Sequence, residues 1–448
     1  MASEVKALRE KLRAHGKQLG DKLEASRAQE IPRLKQACAY EHWHRMLFAR
    51  FLAENNLLIH PDYGEPISLE EVRELAREQN ADWLSIAASF AQQMLLEVFR
   101  PDDPVLELSL PPETRQKLEE RLASLPAEVF TAEDSLGWVY QFWQRDEKDS
   151  VNLSEVKIGA VALAPVTQLF TEDYMVLFLL HNTLGAWWTA KRRSEGKEPG
   201  LRGYEWTFLR LNDDGMPATG SYPDWPTSVR DLRLLDPCMG SGHFLTVALP
   251  ILAQMRAEEE GLSISQAVAA ALSENLFGLE LDARCSQIAA FNLALTAWRL
   301  IGGHCTLPPM NLACSGLGIN VPEADWVKLA GEDGKAREEM LRLYSLFRDA
   351  PVLGSLIDPR RLQANVYAAG AEAVLSLIEE ALRKEQHSEE IKELAIAAQG
   401  LVAAFRILAN QFTMVATNVP YLGRGKQDAV LAQYCGEFHS DADRKSVV

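Results

Sequence analysis

The stretch LRLLDPCMGSGHFLTVALPILAQMRAEEEG, residues 232–261, decides the fold. A short apolar strand ends at Asp236, a glycine-rich turn follows, and an apolar helical pattern begins at His243. The stretch ENLFGLELDARCSQIAAFNLALTAWRLIGG at 274–303 repeats this order, and MNLACSGLGI at 310–319 predicts a third strand with its loop. Strands that alternate with helices in this way are typical of a parallel sheet. The sequence therefore predicts an α/β fold.

Length, composition and charge restrict the class of protein. The 448 residues are enough for two or three domains, and 47% hydrophobic with 24% charged residues is typical of a globular protein. A net charge of −17 argues against a uniformly basic nucleic-acid-binding protein, although a local basic groove is compatible with it. Six scattered cysteines without a CxxC pair predict a reducing, cytoplasmic compartment and no metal site. Neither a secretory segment nor a membrane span is visible in the sequence, so no membrane partner is expected.

Patterning divides the chain into four parts. Apolar residues at helical spacing, interrupted by proline-rich joints, predict an all-helical N-terminal domain over residues 1–150. Residues 151–321 hold the strand–helix repeats, and residues 322–410 return to helical patterns, which predicts an insertion. Residues 411–448 hold one more apolar strand and its loop. We therefore expect a helical domain followed by an α/β domain that a helical insertion interrupts.

The turn within LLDPCMGSGHFL, residues 234–245, predicts a ligand-binding loop. Its glycines let the backbone approach a ligand, and the start of the next helix offers free N–H groups. A GxxxxGK[ST] phosphate loop needs a lysine after Gly242, and a GxGxxG dinucleotide loop needs a third glycine; both are missing. The pattern favours a ligand without phosphates that carries a charged amino-acid end and a ribose. The alternative is a purely structural strand-to-helix turn.

The second strand, LFGLELDARC at 276–285, ends in the carboxylate of Glu280. A carboxylate at this position can accept hydrogen bonds from both hydroxyls of a ribose. Asp282 stands where it can cap the following helix. Glu280 lies about 40 residues after the glycine loop instead of the usual roughly 20, and the additional helical pattern SISQAVAAALSEN accounts for the difference. Taken together with the glycine loop, Glu280 is a candidate ribose ligand.

The stretch FTMVATNVPYLGRGKQ, residues 412–427, places an amide, a carbonyl and an aromatic ring after a buried strand. The side-chain oxygen of Asn418 and the backbone carbonyl of Val419 can accept the two N–H groups of a nucleobase amine, which orients the nitrogen for attack. Pro420 pushes the preceding residue into an extended conformation and aims that carbonyl, and Tyr421 can stack on the base. The alternative is an ordinary strand-ending turn.

Together these elements resemble the S-adenosylmethionine-dependent amino-group DNA methyltransferases, in which a cofactor loop precedes an Asn-Pro-Pro-Tyr catalytic element. DPCMGSGHFL is similar to the family's Asp-Pro-x-x-Gly-Ser-Gly loop, LFGLELD to its ribose strand, and QLFTEDYMVLFLLHNTLG to its upstream helix. The resemblance implies S-adenosylmethionine as cofactor and these cofactor-binding residues: Phe170, Thr171, Asp236, Pro237, Gly240, Ser241, Gly242, Phe244, Glu280 and Asp282. It implies a catalytic element of Asn418, Val419, Pro420 and Tyr421, with Val419 where the family usually has proline.

The resemblance extends over roughly residues 40–430 and also implies an architecture and a biological setting. The fold would be a Rossmann-like class I methyltransferase sheet, with 151–321 as its cofactor-binding part and 411–448 as its catalytic strand and loop. The helical N-terminal domain and the insertion look like the large adenine-specific enzymes of BREX and DISARM phage defence and of type IIG restriction-modification. The implied function is methylation of N6 of adenine in double-stranded DNA, with the target base flipped out and with other defence-system proteins as partners.

Several alternatives stay open from the sequence. N4 of cytosine suits the same pair of acceptors as N6 of adenine. A C5 cytosine enzyme would need a nucleophilic cysteine, but Cys238 belongs to the cofactor loop. Ser315 or Asn311 is a candidate for the family's adenine contact after the third strand. A bifunctional restriction endonuclease, suggested only by Glu155-x-Lys157, and a non-catalytic scaffold are the other two classes.

The family's sheet has further strands after the catalytic loop, and these are not readable in this sequence. The tail from Asp443 to Val448 can be encoded by the start of a common sequencing adapter. The expectation is therefore a fragment of a longer protein, with the C-terminal strands and the target-recognition domain missing. On that expectation the isolated chain would bind DNA poorly and be almost inactive.

Overall fold

The computed structural model describes residues 2–23, 28–95, 98, 100, 102–132, 145–153, 157–158, 171–331, 333–361, 388–419 and 422–439. Contacts divide the chain into two compact units. The first unit comprises Met1–Ser135, Leu317–Ala350 and Ile357–Arg406. The second unit comprises Leu136–Gly316, Pro351–Leu356 and Ile407–Val448.

The N-terminal part of the first unit is helical. Its helices are α1 (Ala2–Leu19), α2 (Pro32–Glu54), α3 (Leu69–Gln79), α4 (Trp83–Met94), α5 (Pro112–Ser124) and α6 (Glu128–Thr131), with a 3₁₀ turn at Pro104–Glu107. Local sequence determines where they begin. Ser68 and Glu71 form a capping box at α3, and the carboxylate of Asp82 accepts hydrogen bonds from the first N–H groups of α4. Proline occupies the first turn of α2 and of α5, where its missing N–H costs nothing.

The second unit alternates helices and strands. Its elements up to residue 316 are α7 (Arg145–Leu153), α8 (Asp173–Leu180), α9 (Ala186–Ser194), β1 (Leu234–Asp236), α10 (His243–Glu260), α11 (Ile264–Ala270), β2 (Leu276–Glu280), α12 (Ala283–Ile301) and β3 (Asn311–Cys314). Single π-helical turns follow α8 (His181–Gly185) and α11 (Ala271–Asn275), and Val229–Asp231 forms a 3₁₀ turn.

The remaining elements belong to both units. They are α13 (Glu323–Trp326), α14 (Gly334–Phe347), α15 (Ala350–Leu353), α16 (Glu389–Leu408), β4 (Met414–Val415) and α17 (Ala429–Phe438), with 3₁₀ turns at Val327–Ala330, Gly354–Leu356, Pro359–Arg361 and Arg424–Lys426. Most described residues of the predicted insertion, 322–410, lie in the first unit with the N-terminal helices. The predicted four-part division of the chain stays a prediction.

The sheet of the second unit is parallel and has the order β3-β2-β1-β4. Leu234 pairs with Leu276 on one side and with Met414 on the other, and Phe277 pairs with Asn311. Every residue of β1 and β2 is buried, as expected for parallel strands that are covered on both faces. The predicted α/β class with a parallel sheet is confirmed, together with the three strands read from the sequence and the strand in FTMVAT.

The core of the second unit lies around α10. Its buried residues include Leu180 and Trp188 from α8 and α9, Leu249 from α10 and Leu293 from α12. Gly278 in β2 has no room for a side chain, because a Cβ there would collide with the Met239 sulfur. This close packing holds the glycine loop after β1 against β2.

A buried ion cluster forms the polar centre of the first unit. The carboxylate of Glu393 accepts hydrogen bonds from Arg100 Nη2 at 2.6 Å and Nη1 at 3.1 Å, and its Oε2 lies 2.9 Å from His15 Nδ1. Burial alone would raise the pKa of Glu393, but the hydrogen bonds from His15 and Arg100 outweigh it and lower the pKa to about 2. Burial lowers the pKa of His15, but the hydrogen bond and the charge of Glu393 outweigh burial, so the pKa is raised. This carboxylate is therefore paired and ionised.

No helix among the described residues combines the length and the apolar character that a membrane crossing requires.

Candidate active site

The glycine loop connects β1 to α10 through two residues in the left-handed region. Gly240 has φ of +53° and Gly242 has φ of +84°, conformations that glycine adopts without strain. A Cβ at Gly242 would lie 3.0 Å from the Cβ of Ala289, so this glycine also lets α10 begin close to α12. A Cβ at Gly240 would meet nothing within 4 Å among the described residues. The loop is thus packed on one side and open at Gly240.

Glu280 ties the end of β2 to the glycine loop. Its Oε2 accepts a hydrogen bond from the Gly240 N–H at 2.8 Å, and its Oε1 accepts from the N–H groups of Leu281 at 2.8 Å and Asp282 at 3.1 Å. Burial raises the pKa of this carboxyl to about 7, against the lowering effect of these N–H donors. Because a carboxylate oxygen can accept two hydrogen bonds, Oε2 retains one acceptor position.

Asp236 is the second buried carboxyl at this edge of the sheet and is only 1% exposed. Its Oδ1 accepts a hydrogen bond from the Cys238 N–H at 3.1 Å, whereas Oδ2 is buried without a hydrogen-bond partner among the described residues. Burial raises the pKa of Asp236 to about 7; the nearby Thr417 hydroxyl lowers it in part without reaching normal hydrogen-bond geometry. A buried carboxyl with a raised pKa at a strand end is a candidate functional group.

The other residues predicted for the cofactor loop have structural contacts. The Ser241 carbonyl accepts a hydrogen bond from Asn292 Nδ2 at 2.9 Å, and Phe244 is buried in the core. Asp282 caps α12, as the sequence predicts, and its carboxylate also pairs with Arg284 at 2.7 Å. Pro237 is partly buried within the loop.

The strand-end loop after β4 carries Asn418. Its side-chain Nδ2 donates a hydrogen bond to Thr171 Oγ1 at 3.1 Å, although 247 positions separate the two residues. This contact fixes the amide and leaves its oxygen to face elsewhere. Val419 is exposed. The predicted site residues Phe170, Pro420 and Tyr421 lie outside the described residues, as does Glu155 of the nuclease-like fragment.

The two loops lie side by side because β1 and β4 are hydrogen-bonded neighbours in parallel. The chain runs from β1 to β2 and β3 on one side, while β4 is on the other side of β1. Such a point, where the strand order reverses, is where open α/β sheets bind ligands at the carboxyl ends of their strands. The structure thus brings the loop at 240–242 and Asn418 to adjacent strand ends on the same edge.

No protein-family model matches the chain. The adenine-specific methyltransferase PglX of Lacticaseibacillus casei (strain Zhang) is 23% identical over 379 residues, which cover 79% of this chain and 30% of PglX. The adenine-specific methyltransferase BrxX of Escherichia coli O9:H4 (strain HS) is 25% identical over an alignment of 478 positions, which covers 93% of this chain and 38% of BrxX. The chain resembles adenine-specific methyltransferases. The resemblance predicted from the motifs is thereby confirmed, and the chain spans about a third of the length of these relatives.

The thiol of Cys238 has the wrong electrostatics for a nucleophile. Burial raises its pKa to about 12, and the neighbouring carboxyls of Glu280 and Asp236 add to the rise. A nucleophilic cysteine needs a lowered pKa. This environment agrees with the sequence-based argument against a C5 cytosine enzyme.

The two candidates for an adenine contact, Asn311 and Ser315, lie at opposite ends of β3. Asn311 begins β3, and its amide donates to the carbonyl of Ser273 at 2.8 Å, so it lies at the opposite edge of the sheet. Ser315 lies at the carboxyl edge, but its hydroxyl donates to the Glu280 carbonyl at 3.2 Å. The expectation for Asn311 is therefore wrong on position alone.

Two contacts at this edge escape prediction from the sequence. His243 Nε2 lies 2.9 Å from Asp173 Oδ1, so the start of α10 lies next to the start of α8. Ser355, from a stretch assigned to the insertion, has its Oγ 3.9 Å from Cys238 Sγ. Neither pair has a local sequence signal, because 70 and 117 positions separate the partners (243 − 173 and 355 − 238).

Proposed function

We propose that this chain carries the S-adenosylmethionine-binding and amino-group-orienting parts of an adenine-specific DNA methyltransferase, built on a Rossmann-like class I sheet. The observation that carries the proposal is the parallel pairing of β1 with β4, which puts the glycine loop and Asn418 at neighbouring strand ends. The similarity to proteins named adenine-specific methyltransferases supports adenine as the target.

The residues at the carboxyl edge fit such a cofactor. Asp236 and Glu280 set two acidic groups beside the glycine loop, which repels phosphates and favours a ligand with cationic groups. The vacant Oδ2 of Asp236 suits an ammonium donor, and the remaining position on Glu280 Oε2 suits a ribose hydroxyl. Gly240 leaves space in which a ligand can approach the backbone. Pro237, Ser241, Gly242, Phe244 and Asp282 shape the loop, and Phe170 stays a prediction.

The chain's own groups orient the substrate. S-adenosylmethionine, when bound, supplies an electrophilic sulfonium methyl group. Because Asn418 donates its Nδ2 hydrogen to Thr171, its oxygen is left to accept one N–H of the adenine amine, while the Val419 carbonyl accepts the other. Neither group is a strong base, so both act through position and electrostatics. Pro420 and Tyr421 are proposed to aim that carbonyl and to stack on a base flipped out of the duplex.

The biological setting is proposed on the same basis. The relatives are adenine-specific methyltransferases, and we propose phage defence or restriction-modification as the role, with double-stranded DNA and other defence-system proteins as partners. Six cysteines without a disulfide support a cytoplasmic site of action.

We also propose that the 448-residue chain alone transfers methyl groups slowly. Among the described residues β4 has a neighbouring strand only on its β1 side, and Val415 is 58% exposed. An exposed edge strand carries unpaired backbone groups, so the catalytic loop after it is poorly supported.

Two measurements test the proposal. Isothermal titration calorimetry with S-adenosylhomocysteine on this chain should show one binding site. Transfer of tritiated methyl groups to unmethylated DNA is then measured with this chain and with the longest reading frame that contains it. Asn418→Ala should lower transfer by about 10²–10³-fold without changing cofactor affinity, because it removes one preorganised acceptor. Failure of the wild-type chain to bind S-adenosylhomocysteine, or unchanged transfer by Asn418→Ala, would refute the proposal.

A further inference from the structure

The 3₁₀ turn Gly354–Leu356 lies at the carboxyl edge of the sheet, although the sequence assigns it to the helical insertion. It belongs to the second unit as part of Pro351–Leu356. Ser355 Oγ is 3.9 Å from Cys238 Sγ in the loop after β1. A Cβ on Gly354 would lie 2.9 Å from Leu281 Cδ1, after β2, and 3.5 Å from Ser315 Oγ, after β3. One short turn therefore spans the ends of three strands.

The backbone conformation of the turn and one hydrogen bond to it hold the turn in this place. Gly354 has φ of +50°, which favours glycine, and the lack of a side chain allows the close approach to Leu281. The Leu356 carbonyl accepts a hydrogen bond from the Tyr434 hydroxyl at 2.8 Å. Ser355 and Leu356 are only partly buried, so their side chains remain accessible to a ligand at this edge.

We propose that Gly354–Leu356 closes the nucleoside half of the cofactor site, with Ser355 as a binding residue. This inference rests on the proposed function. If the loop at 240–242 takes the amino-acid end and Glu280 takes the ribose, the base lies further along the strand order, towards β3. The groups on that side are Leu281, Ser315 and the turn itself. They offer an apolar side chain and a partly exposed hydroxyl, a combination typical of sites for a neutral heterocycle.

Calorimetry on the full 448-residue chain tests the inference with Ser355→Trp, which fills the space above the strand ends. We expect the affinity for S-adenosylhomocysteine to fall by about tenfold or more. 5′-Deoxy-5′-methylthioadenosine, which keeps the nucleoside but has no amino-acid end, should lose the same factor. Arg360→Trp, at an exposed position of the 3₁₀ turn Pro359–Arg361, is the matched control and should bind both ligands like the wild type.

The outcomes separate the inference from the proposed function. If the wild type binds S-adenosylhomocysteine and Ser355→Trp binds it equally well, the turn is a structural cap and the inference fails while the function stands. If only S-adenosylhomocysteine loses affinity and methylthioadenosine does not, the turn does not contact the nucleoside and the inference also fails. If the wild type binds neither ligand, both fail.

Hydrogen exchange on the wild-type chain gives a readout that does not depend on the folding of a variant. Saturating S-adenosylhomocysteine should slow amide exchange in a peptide covering residues 351–358 by about tenfold. A peptide covering α5, residues 112–124 in the first unit, serves as the reference for ligand-independent change. Unchanged exchange at 351–358 in a chain that binds the ligand would overturn the inference.

Discussion

Glu393 in the first unit and the strand-end carboxyls Asp236 and Glu280 in the second unit are all buried, but their surroundings are opposite. In the first unit Glu393 is paired with Arg100 and His15, and its pKa falls to about 2. In the second unit Asp236 and Glu280 lie at strand ends without an ion pair to a lysine or arginine among the described residues, and burial raises the pKa of each to about 7. Similar burial thus gives opposite shifts, because Glu393 has Arg100 and His15 beside it, whereas neither strand-end carboxyl has a lysine or arginine partner among the described residues.

The difference distinguishes a structural carboxylate from the two carboxyls that we propose to bind the cofactor. A carboxylate whose oxygens are all engaged by cations holds a fold together and has nothing left for a ligand. Buried carboxyls with raised pKa destabilise the folded state when they are ionised, and such groups concentrate at functional sites. The contrast therefore supports the carboxyl edge as the place where the chain binds its cofactor.

The largest expected effect comes from breaking the paired cluster. Glu393→Leu leaves Arg100 and His15 partly buried without their carboxylate, so the free energy of unfolding should fall by about 3–5 kcal/mol. Urea unfolding followed by circular dichroism measures it. Glu390→Leu on the same helix is the control, because Glu390 is 64% exposed and its contact to Lys17 should be worth less than about 0.5 kcal/mol. Equal losses for the two variants would contradict the comparison.

The corresponding change in the second unit should affect binding instead of folding. Glu280→Gln removes the charge that we propose accepts a ribose hydroxyl, so the affinity for S-adenosylhomocysteine should fall by about 10–100-fold, as expected for a hydrogen bond to a charged group. The free energy of unfolding should change by less than about 1 kcal/mol, because the lost hydrogen bond from Gly240 is offset by the removal of a buried acid. Glu205→Gln, at an exposed position, should change neither quantity. A large loss of stability with intact affinity would make Glu280 structural, like Glu393.

A smaller effect tests the side-chain contact between Asn418 and Thr171 after β4. Thr171→Val removes the acceptor for Asn418 Nδ2 and frees the amide to rotate, so the methyl-transfer rate should fall by about tenfold. Thr171→Ser keeps the hydroxyl and should restore most of the rate. If Thr171→Val instead weakens cofactor binding and leaves the rate at saturation unchanged, the hydroxyl serves the cofactor alone, as the family resemblance implies.

The strands of the sheet and the glycine turn that follows β1 could be predicted from the sequence because their signals are local. A buried parallel strand followed by a glycine turn, and Asp282 at a helix start, each depend on a few consecutive residues. The adjacency of β1 and β4 could not be read in this way, since no local pattern specifies which strands pair across 180 positions (414 − 234).

The position of the turn Gly354–Leu356 could not be predicted from the sequence. Its glycine and serine look like any loop between helices, and its position depends on contacts to Cys238, Leu281 and Tyr434, which are distant in sequence. The raised pKa of Asp236 cannot be predicted from the sequence either, because it depends on burial and on which charged groups the fold places near the carboxyl. Long-range packing and electrostatics decide both features.

The two kinds of buried carboxyl should also give the stability a pH dependence of opposite sign. Glu393 has its pKa lowered from 4.5 to about 2, so its stabilisation is present above pH 4.5 and is lost as the pH falls through 2. Asp236 and Glu280 have raised pKa values, so the folded second unit binds protons more tightly than the unfolded chain does. Its stability should therefore decrease as the pH rises from about 4 to 7.

Ligand binding should follow the ionised form of Glu280. Because this carboxyl must be ionised to accept a ribose hydroxyl fully, the affinity for S-adenosylhomocysteine should rise between pH 6 and 8, by less than about tenfold per unit, and level off above 8. Calorimetry in buffers of matched ionic strength measures it. Glu280→Gln should flatten the profile, and any slope that remains should disappear in the double variant with Asp236→Asn. An affinity that falls with rising pH would show that Asp236 and Glu280 bind the ligand in their neutral form. Charge would then not explain how they differ from Glu393.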